Sequence, residues 1–284
     1  GQYSVAIGRD ALTAQNFTTA TSTYNTAVGY LAGGSVTTGD SNTLIGGLAG
    51  DALTTGTDNV AIGKDALTSD TLGSKTVAIG KNTLEAQNFT TATDANNVAI
   101  GDSAGQALTT GVNNTLIGAL AGDAITDADF NVAVGYGALT ADTLGSRSTA
   151  LGYNTLASQN FTTATTSYNT AVGFGAGGNI TTGDSNTLIG SLAGDALSTG
   201  NSNVAMGLNA LGSDTKGDRN VALGMAALTA QNFTTQTDAY NVAVGYTAGA
   251  AVTTGTNNTL IGGLAGDALT TGGRHTLMGY ASGS

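Results

Sequence analysis

The chain has no cysteine, no proline and no tryptophan, and only 10% of its 284 residues are charged. The lack of cysteine excludes disulfides and thiolate metal sites together. Eight Lys and Arg stand against 19 Asp and Glu, for a formal net charge of -11. Phosphate recognition needs clustered basic side chains, so nucleic acid is excluded as a partner, and the acidity disfavours an anionic membrane surface. No apolar run approaches the roughly 20 residues needed to cross a bilayer, so no membrane insertion is expected. A single histidine, His275, has no cysteine partner and no pocket-forming context, which leaves no catalytic residue, metal ligand or cofactor to name. There is no signal peptide and no initiator Met at Gly1. The chain begins and ends within a repeat, and the expectation is a single repetitive segment, 1–284, cut from a longer polypeptide.

What is present is glycine, 44 residues of it, in a strict order. The phrase Asn-(Thr/Val)-(Ala/Leu)-(Ile/Val)-Gly recurs sixteen times, with its glycine at positions such as 8, 29, 46, 63, 80 and 101. The intervals run 21, 17, 17 and 17 residues and then start again, so four units make a super-repeat of 72. Periods of this size belong to chains whose units bury themselves only against their neighbours. β-branched residues between Asn and Gly read as a short strand, and glycine at this density disfavours helix by up to about 1 kcal/mol per residue. The expected fold is all-β, a parallel β-solenoid or β-roll of about sixteen coils, with 17- and 21-residue rungs. Strand spacing of about 4.8 Å would give a rod on the order of 75 Å long. A second short strand is expected after the glycine, as in Lys64-Asp65-Ala66-Leu67, and a Thr-Gly turn closes the coil at Gly39, Gly56, Gly111, Gly183, Gly200 and Gly255.

Four places before the glycine stands Asn25, Asn42, Asn59, Asn97, Asn114, Asn131, Asn169, Asn186, Asn203, Asn220, Asn241 or Asn258. Asn accepts a left-handed corner and its amide can bond to the copies above and below, so this column is read as a structural ladder. The Val/Thr and Ile/Val positions share one strand face, taken as the inner one. The Ala/Leu position then faces outward, with Leu44, Leu116, Leu188 and Leu260 at 72-residue intervals. An outer face without polar residues implies burial against another chain, and a homotrimer is the simplest closed assembly.

Phrases such as Asn59-Val60-Ala61-Ile62-Gly63, followed by Ala66-Leu67 and a Thr-Gly turn, resemble the head repeats of trimeric autotransporter adhesins. They are also similar to the shaft repeats of trimeric phage tail fibres. The likeness covers essentially the whole chain. It implies a trimeric fibre, extracellular, on a cell surface or a virion, that contacts a surface.

Each 21-residue interval carries an insert, Gln-Asn-Phe-Thr-Thr, centred on Phe17, Phe89, Phe161 or Phe233. Insertions in solenoids map to one face. The phenylalanines, with Tyr30, Phe174 and Tyr246 just after their coil glycines, are candidate surface contacts that could serve as flat platforms for a cell-surface glycan. The alternative is a phenylalanine folded back over its neighbour, which the usual burial of phenylalanine favours. Asp51, Asp123, Asp195 and Asp267 form an acidic column whose members, about 19 Å apart, are too distant to share a calcium ion. The expected role is a fibre shaft with an adhesin function. A self-assembling extracellular filament and an ice-binding solenoid are the alternatives, with a glycan depolymerase behind them.

Overall fold

The computed structural model describes all 284 residues, as two compact units, Gly1–Gly137 and Ala138–Ser284. The chain is an all-β parallel solenoid without helix, and its sixteen coils divide eight to each unit. In the first unit three-residue strands begin with Val5–Ile7 and end with Val132–Val134. In the second they begin with Thr149–Leu151 and end with Thr276–Met278. Neighbouring strands pair in parallel and in strict register: Val60, Ala61 and Ile62 meet Val77, Ala78 and Ile79. Register is kept across a 21-residue interval as well, where Val77 meets Val98. The four extra residues are therefore absorbed outside the strand.

The strand faces are the reverse of the sequence expectation. Val and Ile flank outward, half-buried, while the residue between them is completely buried within the single chain. Leu44, Leu116, Leu188 and Leu260 are fully enclosed in the core and do not form an outer oligomer face. The reason is the thinness of the coil. A 17-residue turn leaves space inside for Ala at most positions, and Ala27, Ala61 and Ala78 fill it. Leu fits only where glycine yields. A Cβ on Gly33 would lie 2.6 Å from one methyl of Leu44, and a Cβ on Gly50 would lie 2.8 Å from the other. Leu116 is wedged between Gly105 and Gly122 in the same way, and Leu188 between Gly177 and Gly194. Coils without this glycine carry a buried Leu there instead, such as Leu67, Leu84, Leu139 and Leu156.

The second expected strand does not form. Lys64-Asp65-Ala66-Leu67 is a chain of turns in which Asp65 and Leu67 are left-handed, at φ 58° and 55°. Left-handed L-residues cost roughly 1–2 kcal/mol each, and here the stack supports them: Asp65 N–H donates to Gly47 O and Leu67 N–H to Thr83 O, in the coils on either side. The phrase glycine sits at φ between 118° and 143° throughout. A Cβ there would also collide with the next coil, as at Gly46, where it would meet Gly63 O at 2.3 Å.

The Asn ladder forms, with one change. Its left-handed corner belongs to the preceding residue, such as Ser41, Asp58 or Tyr240. The Asn itself is buried and clamps two coils. Asn42 Nδ2 donates to Gly56 O at 2.9 Å, closing its own coil, and Asn42 Oδ1 accepts the backbone N–H of Asn59 at 3.0 Å. The same pair of bonds recurs at Asn97, Asn114, Asn169, Asn186 and Asn203.

Candidate functional site

Side chains alternate along a strand. The outer face is therefore four residues wide: the one before Asn, the Thr/Val, the Ile/Val and the one after the glycine. The two central columns form an aliphatic and hydroxyl stripe, with Thr26, Thr43, Thr115, Thr170, Thr187 and Thr259 among its members. Eight coils at about 4.8 Å, with columns about 7 Å apart, make a stripe of roughly 270 Å² between column centres in each unit. That lies near the lower end of the range for the largest apolar patch a monomer ordinarily shows, about 300–600 Å².

Exposed rings edge the stripe. Tyr30, Phe174 and Tyr246 lie on the side after the glycine, as the sequence suggested, together with Tyr136 and Tyr153. Tyr3, Tyr24, Tyr168 and Tyr240 lie on the other side. Rings in consecutive coils stack: Tyr3 on Tyr24 at 5.5 Å, and Tyr153 on Phe174 at 5.3 Å, nearly parallel. Arg9 sits over Tyr30 and Arg219 over Tyr240, at 5.3 and 5.7 Å from the ring centres.

Three of the four insert phenylalanines are closed to contact: Phe89, Phe161 and Phe233 are buried, each folded onto the coil before it, while Phe17 is half-buried. A carboxylate missed in the sequence holds them. Asp142 Oδ1 accepts the backbone N–H groups of Gly145 and Phe161, both at 3.1 Å, and its Oδ2 accepts from Gln159 Nε2 at 2.5 Å. Asp70 and Asp214 do the same for Phe89 and Phe233. All three Asp and their Gln partners are completely buried. The signal was present as Asp-Thr-X-Gly at 70, 142 and 214, one coil ahead of each insert. The inserts are also tied down outside, by Lys75 to Asp94 at 2.5 Å and by Arg219 to Asp238. What the inserts expose is threonine: Thr90 and Thr91, Thr162 and Thr163, Thr234 and Thr235.

Asp51 accepts a hydrogen bond from Thr68 Oγ1 at 2.5 Å, whereas its equivalents Asp195 and Asp267 each bury an oxygen without a partner. Burial raises the Asp195 carboxyl above its ordinary value, and its own backbone N–H and that of Ala196 pull it partly back. No three acidic or imidazole groups converge to hold a metal ion. No helix is long and apolar enough to cross a membrane. Set beside protein-family models, curated proteins and solved structures, the chain matches none, so its architecture and its surface carry the functional reading alone.

Proposed function

We propose that this chain is a structural segment of an extracellular fibre, a spacer that associates side by side with further copies and offers its ringed edges to a surface. The observation that supports this most is the outward stripe of Thr/Val and Ile/Val, repeated in every coil and left half-covered by the chain itself. Nearly all the buried polar groups are committed to stacking: the Asn ladder closes and joins coils, and the Asp–Gln pairs hold inserts. Such a molecule is built for length and repetition. The outward stripe takes over the part that Leu44 and its equivalents were expected to play in a homotrimer. Sedimentation velocity and native mass measurement test this. A trimer is expected, and a monomer at high concentration would overturn the association.

An ice-binding solenoid is a second reading, favoured by one observation. Threonines of the strands, such as Thr26, Thr43, Thr115, Thr170 and Thr187, lie on the outer strand face interspersed with valines, so hydroxyl and methyl groups are offered on the sheet face as well as in the inserts. Thermal hysteresis at micromolar protein decides between the two.

A further inference from the structure

In the second unit the repeat departs from its own pattern at several neighbouring positions, and a groove of about 330 Å³ opens there across three consecutive coils. Its wall is the stacked pair Tyr153 and Phe174, and Phe174 is 57% exposed. The next coil carries Ser191 at that place, so the stack of rings ends at Phe174. The floor is Gly175 and Gly178. The equivalent pairs elsewhere are Leu31 with Gly34, Ser103 with Gln106, and Thr247 with Ala250, so only here are both positions glycine.

Polar groups converge on this space without partners of their own. The side chains of Asn154, Ser158 and Asn179 line it and make no hydrogen bond to the protein. Asp195 lines it too, and its Oδ1 is buried and unpaired. The cause is a second departure. The hydroxyl that satisfies Asp51 comes from Thr68, seventeen residues on, and the residue seventeen after Asp195 is Gly212. That oxygen has no exposed surface and its missing partner belongs to the following coil, outside the groove lining, so the groove meets the Asp195 side chain at its lining surface and not at this atom.

The combination selects the ligand. One open aromatic face suits an apolar ring face. Two primary amides, a hydroxyl and a carboxylate supply donors and acceptors side by side, matched to adjacent hydroxyl groups. An anion is repelled by Asp195, and a cation would meet the amide donors with a single carboxylate to hold it. We propose that this groove binds one pyranose ring of a neutral saccharide, its C–H face on Phe174 and its hydroxyls shared among Asn154, Asn179 and Asp195. This deepens the surface-contact role proposed above and rests on it.

The test uses the full chain on an array of neutral glycans, followed by saturation-transfer NMR with the best binder and with tetramethylammonium as the cationic control. At least one neutral glycan is expected to bind. Phe174→Ala and Gly175→Leu should each weaken it at least tenfold, while Ser35→Ala, an exposed position of the first unit away from the ringed edges, leaves it unchanged. Gly175→Leu copies the natural Leu31, left-handed at φ 53° where Gly175 has 62°, so the variant is expected to fold, and its melting curve verifies this. Binding of no neutral glycan, binding that survives Gly175→Leu, or displacement by tetramethylammonium would each overturn the proposal. Association into trimers by a chain that binds no sugar would sink the groove and keep the fibre. Sugar binding by a strict monomer would do the opposite.

Discussion

At the scale of single residues, the core is a set of paired choices. Leu116 is accommodated because Gly105 and Gly122 have no side chain. Leu116→Ala should cost about 2.7–5 kcal/mol, the range for a buried Leu, measured by urea denaturation. Adding Gly122→Leu should recover part of it, because the next coil already pairs Ala133 with Leu139. This covariation could be read from the sequence, since Leu at that strand position always accompanies Gly six residues on at 50, 122, 194 and 266. Which face it occupied could not: alternation says which side chains share a face, and the thin coil decides that the smaller set goes inside. Asn186→Ala should leave Gly200 O and the Asn203 N–H unpaired, at about 1–3 kcal/mol for each buried group. Asp195 gives a pH dependence. Its raised carboxyl keeps the proton in the folded state to a higher pH than in the unfolded one. Stability from this group therefore falls as pH rises from 3.8 through the folded value. Asp195→Asn should raise the melting temperature at neutral pH, and the difference should vanish below the carboxylate range.

At the scale of elements, the insert is a clasp. Its four extra residues leave the strand register intact, and a short parallel pair, Gly145–Ser146 with Thr165–Thr166, carries it back into the coil. Asp142 is the fastening. Asp142→Ala should cost the Phe161 and Gly145 amides their protection from hydrogen exchange, while amides of the Asn186 coil keep theirs. Uniform loss across the second unit would show that the clasp is integral to folding. The strands themselves were legible, because β-branched residues bounded by Asn and Gly have few alternatives. The stretch after the glycine was not. Its residues look strand-like, and their left-handed conformations exist only because the coils above and below take up the backbone groups.

At the scale of the whole molecule, the outer stripe decides how copies meet. Ile62→Lys with Ile79→Lys places two charges where the side chains already point outward, half-buried. The fold should survive, judged by circular dichroism, and association should be lost, judged by sedimentation. Unchanged association would move the contact to another face. The count of coils and their grouping by four were legible, and the grouping acquires a cause: one Leu wedge and one Asp–Gln clasp complete each set. The ladder therefore has a natural quantum. Excising residues 47–118 removes 72 residues and rejoins Gly46 to Ala119 with every wedge and clasp matched, whereas excising a lone coil strands half of one. Such a gene can grow or shrink by recombination in steps of about 19 Å, a ruler whose smallest division is four rungs.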